Sequence, residues 1–215
     1  MRATSCSLRS GSGEHPEWLR GALANEYRLR WQAHEHLAVM FDIRVYRGGV
    51  IRTSVTFDNS KAFSPGFRHH LYDIAIGAKD APAFFAENVA HHRASRWRRV
   101  FWTGGGARAF AAQDSRDLIA ANAILPLDFS LELDAATVAQ SDAALKTPAP
   151  LSPAQVTQYF LQTGGRPDIG PYPDWTAHYL LAQTEPAARA MIAAAEAGCC
   201  AVAFHRRDDG RAGFN

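Results

Sequence analysis

Residues 37–57 read LAVMFDIRVYRGGVIRTSVTF, and this stretch decides the fold. Val39, Phe41, Ile43 and Val45 alternate with Met40, Asp42, Arg44 and Tyr46. That is the period of a strand with one buried face. Arg47-Gly48-Gly49 supplies residues free to take positive φ, so the chain turns there. Ile51, Thr53, Val55 and Phe57 then alternate with Arg52, Ser54 and Thr56. The two runs predict an antiparallel hairpin.

Downstream, Asp58-Asn59-Ser60 closes the second strand and Pro65-Gly66 marks a loop. Tyr72, Ile74 and Ile76 predict a third strand, and Phe84 to Val89 a fourth. Ser95 to Trp102 gives a fifth, with Trp97, Arg99 and Phe101 opposite Arg98, Val100 and Trp102. Short strands at this spacing predict an antiparallel β-sandwich-like domain over residues 25–108. Upstream, residues 1–24 begin with a Ser-, Arg- and Gly-rich run and are expected to form a disordered leader.

Beyond residue 108 the pattern turns helical. Asp114-Ser115 is expected to cap a helix from Arg116 to Asn122, and a second spans Ala135 to Leu145. Thr147-Pro148-Ala149-Pro150 breaks it, and Ser152-Pro153-Ala154-Gln155 has the spacing of a capping box. Gly164 to Pro173 is a loop stiffened by proline. Asp174 is expected to cap a helix carrying Trp175, His178, Tyr179 and Ala182 on one face. After Gln183-Thr184-Glu185-Pro186, the residues Ala188, Met191, Ile192 and Ala195 form a second stripe, which Gly198 ends. The expected fold class is α+β, with a helical region over 109–215 that includes one αα-hairpin.

Composition sets the outer limits. The 215 residues are 47% hydrophobic and 20% charged, the balance of a globular chain. No run approaches the roughly 20 apolar residues of a membrane span, so no membrane partner is expected. Residues 1–107 carry 15 basic and 9 acidic side chains, and 108–215 carry 8 and 12. The net charge of +2 gives no broad attraction to nucleic acid. Cys6, Cys199 and Cys200 are too few for a disulfide framework. No apolar signal core is visible at the start, so a cytoplasmic location is expected.

The motif search is mostly exclusionary. Gly104-Gly105-Gly106 lacks the Lys-Ser or Lys-Thr of a P-loop, and no G-x-S-x-G or H-E-x-x-H occurs. His34-x-His36 would share a strand face and is the best chelating spacing present. The doublets His69-His70 and His91-His92 point to opposite faces, and no metal or cofactor is expected. Arg93, Arg96, Arg98 and Arg99 with Trp97 and Trp102 mimic a nucleic-acid patch, but alternation spreads them over two faces.

One segment combines sugar-binding side chains. Arg166, Asp168, Tyr172, Asp174 and Trp175 stand on and beside the proline-rich loop. Aromatic rings stack on the apolar face of a sugar while charged groups pair with its hydroxyls. Arg166, Tyr172 and Trp175 are the candidate substrate-binding residues. Asp168 and Asp174 are the candidate acid and base, with His178 one helical turn after Asp174 to assist. The structural alternative is that Asp174 caps its helix, Asp168 pairs with Arg166, and the rings fill a core.

Two segments carry a resemblance. One is His91-His92-Arg93-Ala94-Ser95-Arg96-Trp97-Arg98-Arg99-Val100-Phe101-Trp102. The other runs from Thr163-Gly164-Gly165-Arg166-Pro167-Asp168-Ile169-Gly170 through Trp175-Thr176-Ala177 to Tyr179-Leu180-Leu181. Together they resemble a group of large, uncharacterised proteobacterial proteins. In that group a β-sandwich-like region precedes a helical region similar to a six-hairpin glycosidase-like toroid. The resemblance covers most of residues 25–210, implies fold by analogy and carries over no catalytic residue. A closed toroid would need roughly 250 further residues, so the resemblance implies a truncated reading frame. The expected function is interaction with a polysaccharide, or descent from a carbohydrate-active protein. The alternative is a noncatalytic structural or interaction module that pairs with a partner protein chain.

Overall fold

The computed structural model describes residues 17–61, 63–104, 110–112, 114–137, 139, 149–152 and 168–201. They fall into two compact units that divide between Gly104 and Phe110. Seven strands form two antiparallel sheets in the first unit, and short helices occupy the second.

The strands are β1 (Glu17–Arg20), β2 (Ala24–Gln32), β3 (Ala38–Tyr46), β4 (Ile51–Asn59), β5 (His70–Ala78), β6 (Ala81–His91) and β7 (Ser95–Thr103). The larger sheet has the order β1-β2-β3-β4-β7, and β5-β6 is a separate two-stranded ribbon. The hairpin of residues 37–57 is β3–β4, with Phe41 opposite Val55 and Val39 opposite Phe57. Its turn closes as expected, with Gly49 N donating to Tyr46 O and Gly49 at φ +82°. The turn also constrains a neighbour. A Cβ on Gly104 would stand 2.3 Å from Gly49 O, and Gly104 itself takes φ +91°.

Two expectations need correcting. Composition predicts a leader over residues 1–24, yet Glu17–Arg20 pairs with β2 as an edge strand. Its irregular register and full exposure explain why composition hid it. The turn preference of Asp58 and Asn59 predicts the end of β4 before them, but they continue the strand by pairing with Arg96 and Ser95 on β7. Tertiary pairing overrides their turn preference.

The register sorts the side chains of the large sheet onto two faces. Val39, Val55, Phe57 and Trp97 form the buried apolar side. Phe57 and Trp97 are cross-strand partners, stacked at 4.2 Å between centroids and 7° between planes. The β5–β6 ribbon packs on this spot. Tyr72 lies 6.2 Å from Phe57, Phe84 lies 6.2 Å from Trp97, and the Arg99 guanidinium sits 4.2 Å from the Phe84 ring centre. Burying one such large apolar side chain contributes about 1.5–3 kcal/mol, so this junction holds ribbon to sheet.

In the second unit, α1 (Ser115–Ala120) is capped as expected by the Asp114 carboxylate, which accepts from Arg116 N at 2.9 Å. The helices α2 (Asp174–Ala182) and α3 (Glu185–Ala201) follow one another through Gln183, which takes the left-handed conformation. Buried Ser115 donates to Leu180 O at 2.5 Å and accepts from Gln183 Nε2 at 2.8 Å, tying α1 to the end of α2.

Three helix expectations shift. Pro173, not Asp174, holds the N-cap position of α2, and Asp174 is its first residue. Proline's fixed φ suits the entry, and an acidic first turn suits the helix dipole. Of the expected α3 stripe Ala188 is buried, but its other buried residues are Ala187, Ala190, Ala194 and Ala197, while Ile192 is exposed. Small alanines permit close backbone approach, which hydrophobicity alone does not reveal. The helix also runs through Gly198 to Ala201. The expected helix beginning at Ser152-Pro153 lies outside the described residues, as does most of the one from Ala135 to Leu145.

Candidate functional site

The loop candidate is described from Asp168 onward; Arg166 lies outside the described residues. Asp168 is half-buried, and Asp174 is exposed on the first turn of α2. Trp175 and His178 are half-buried. No hydrogen bond or ion pair joins Asp174 to His178. The Tyr172 hydroxyl accepts from Leu125 N, so this ring is fastened to a neighbouring loop of its own unit.

A second arrangement of rings and charges lies on the large sheet. The face opposite Phe57 and Trp97 carries Arg28 and Asp42 in one cross-strand row, and Glu26, Arg44, Arg52 and Trp102 in the next. Arg28 Nε donates to Asp42 Oδ1 at 2.6 Å, and Arg44 pairs with Glu26. The Glu26 pair relieves the direct opposition of Arg44 and Arg52. The hydrogen bonds that Arg44 donates to Tyr46 and Glu26 raise its guanidinium above its ordinary value, so it stays charged.

Aromatic rings bracket these rows. Trp18, 65% exposed, lies under the Arg28 guanidinium at 4.5 Å. Trp102, 39% exposed, stacks with Tyr46 at 6.1 Å and 18°, and Arg52 stands 5.9 Å from its ring. Cation–π contacts hold both indoles against arginines while leaving ring surface open. Four inter-strand steps separate β1 from β7, about 19 Å.

Sequence reasoning missed this face. Trp18 lies within the leader that composition predicts, and β2 lies upstream of the predicted hairpin. The signal was present, since Tyr27, Leu29 and Trp31 alternate with Arg28 and Arg30.

The histidines of the metal reading come together at one end of the sheet. Among the described residues, no group of three or more His, Cys, Asp or Glu side chains has the arrangement to hold a metal ion. Burial pushes His70 and His91 down to about 4, with neighbouring His34 and Arg68 adding to the effect at His70. Tyr72 is raised above its ordinary value by burial, with the Trp97 hydrogen bond opposing.

Those two hydrogen-bonded groups form a chain with one polarity. His91 Nε2 lies 3.0 Å from Ser95 O and must donate to it. Nδ1 of the neutral ring is then an acceptor, so the Tyr72 hydroxyl donates to it at 2.9 Å. Trp97 Nε1 in turn donates to the Tyr72 oxygen at 2.8 Å.

The chain is thus an α+β protein with an antiparallel, sheet-rich first unit and an arginine–aromatic sheet face. No family model, curated protein or solved structure matches it. Among the described residues no helix is long and apolar enough to cross a membrane.

Proposed function

We propose that this chain is a noncatalytic carbohydrate-interacting module, and that its two sheets form a β-sandwich-like domain presenting a polysaccharide-binding face. The observation that carries the reading is the pair of exposed tryptophans, Trp18 and Trp102, on one sheet face with charged side chains between them. Indoles offer stacking surfaces for sugar rings, and Arg28, Asp42, Glu26 and Arg44 offer donors and acceptors for hydroxyls. A separation of about 19 Å suits an oligosaccharide lying across the strands. In the second unit, the exposed Asp174 and the half-buried Asp168 and Trp175 give the proline-rich loop the character of an accessory sugar contact.

Affinity electrophoresis through a panel of immobilised polysaccharides tests this. The wild-type chain is expected to be retarded by at least one of them. Trp18→Ala and Trp102→Ala should each weaken retardation about tenfold, the loss of one stacking contact of roughly 1–1.5 kcal/mol. Asp168→Ala should weaken it less. A wild-type chain that migrates freely through every polysaccharide refutes the reading.

A second reading is favoured by one observation. Among the described strands β7 pairs only with β4, which leaves its outer edge open to strand addition by a partner chain. Light scattering after size exclusion tests it, and a stable monomer at every concentration refutes self-pairing.

A further inference from the structure

Six of the nine histidines of the chain stand at one end of the β unit. They arrive from three separate parts of the sequence. His34 and His36 lie between β2 and β3, His69 and His70 at the start of β5, and His91 and His92 at the end of β6. The His34 and His70 ring centres are 4.8 Å apart, His34 and His36 6.0 Å, and His36 and His70 6.5 Å. His70 and His91 are direct cross-strand partners. His69 and His92 meet edge to face at 5.6 Å.

Three of these rings, His36, His70 and His91, are buried. Nδ1 of His36 and Nε2 of His70 are shut away from solvent with no hydrogen-bond partner. A proton on His70 Nε2 would be a buried donor without an acceptor. At His91 the obstacle is polarity. If Nδ1 acquired a proton it would donate to Tyr72, whose own hydroxyl hydrogen would then lose its acceptor.

Most of the surrounding charge is positive; at His91 the Asp58 carboxylate favours a proton, but burial outweighs it. From the β4–β5 connection the Arg68 guanidinium donates to His34 Nε2 at 3.2 Å, and Lys61 Nζ donates to Glu35 O. From the turn before β7, Arg93 N donates to His69 Nδ1. Two carboxylates are near. Glu35 is exposed, with Oε2 3.7 Å from His36 Nε2. Asp58 is buried on β4 and already engaged by the Ser60 hydroxyl and by Arg96 at 3.9 Å. The β5 and β7 groups facing His91 are Tyr72, Ser95 and Trp97, none of them anionic.

One side chain joins the connections. Asn59, 0% exposed, donates from Nδ2 to Arg68 O at 3.0 Å and to His92 O at 3.1 Å. No strand pairing links the ribbon to the large sheet. This end is therefore closed by a few side-chain contacts, several of them made by imidazoles.

We propose that the histidine end is an acid-operated latch. It holds the β4–β5 connection and the His70/His91 end of the ribbon against the large sheet while the His70 and His91 rings are neutral. It releases them, with the sheet intact, when those rings gain protons.

The sign follows from linkage. Both His70 and His91 titrate at about 4 when closed, below the 6.5 of an open imidazole. The closed form is complete above pH 6.5 and is lost as pH falls from 6.5 toward 4. Below about 4 no more is lost. Each ring shifts the closed-to-open ratio by up to about tenfold per pH unit in that window.

Amide hydrogen exchange on the full chain tests this, with protection corrected for intrinsic rates. Between pH 7.5 and 4, residues 67–73 and 88–95 should lose protection by up to about 100-fold per pH unit, while the β2–β3–β4 ladder keeps its own. His70→Gln should reduce that dependence to about tenfold per unit. Protection at the histidine end that does not change with pH overturns the proposal. So does protection that falls together with the β2–β4 ladder. Ring resonances of His70 and His91 in the wild-type chain give an independent readout. Midpoints at or above 6.5 with the sheet intact also overturn it.

Discussion

Replacing Tyr72 by phenylalanine removes one oxygen and leaves the ring that packs near Phe57. That oxygen serves two buried partners. It accepts from Trp97 Nε1 and donates to His91 Nδ1, and Trp97 and His91 are 1% and 0% exposed. Nothing else described reaches either atom, so the substitution strands one donor and one acceptor. Each stranded group costs about 1–3 kcal/mol. Part of this is recovered because the hydroxyl no longer has to be buried, so Tyr72→Phe should destabilise the β unit by about 2–4 kcal/mol. Equilibrium urea unfolding at pH 7.5, followed by tryptophan fluorescence, measures it. The midpoint should fall with an unchanged m-value, because the fold itself is preserved. A loss below about 1 kcal/mol would refute the reasoning, since the chain from indole to imidazole would then carry no net stability.

Asn59→Ala removes both ties to Arg68 O and His92 O, and should cost about 2–3 kcal/mol in the same assay; proteolytic nicking at Arg68 should rise with it. Ser115→Ala deletes the bonds to Leu180 O and from Gln183 Nε2, and should lower the stability of the helical unit by about 1–3 kcal/mol, read by far-ultraviolet circular dichroism on heating. Gly104→Ala would drive a methyl to 2.3 Å from Gly49 O at a positive φ, so it should lower the melting temperature measurably, by at least about 1 kcal/mol of stability. An unchanged melt would mean that the Gly49 turn yields without cost.

The central hairpin was legible because alternation at residues 37–57 is a local property that survives burial. The middles of β5 and β6, and β7 from Ser95 to Trp102, were legible for the same reason. What sequence reading lost was set by partners distant in sequence. Glu17–Arg20 is a strand because β2 lies beside it, and Asp58 and Asn59 extend β4 because Arg96 and Ser95 complete their pairing. The stripe of α3 was placed correctly only at Ala188, because alanine packs by being small. The histidine end was visible only as three separate pairs; their meeting depends on connections that no periodicity encodes. Asp174 was recognised as belonging to a helix start, but the capping position went to its neighbour Pro173.

The order of the strands has a kinetic consequence. β2, β3 and β4 follow one another as a meander and can pair as they emerge, but β7 must wait while the chain makes the β5–β6 excursion. Joining Asn59 to Ser95 closes a loop of about 36 residues, at an entropic cost near 3 kcal/mol. If the ribbon forms first, the His70–His91 pair short-circuits that loop and lowers the cost by about 1 kcal/mol. Folding is therefore fastest through a route in which the hairpin between β5 and β6 precedes the arrival of β7. Trp97, the last large side chain to reach Phe57, is the residue whose burial marks completion of the unit.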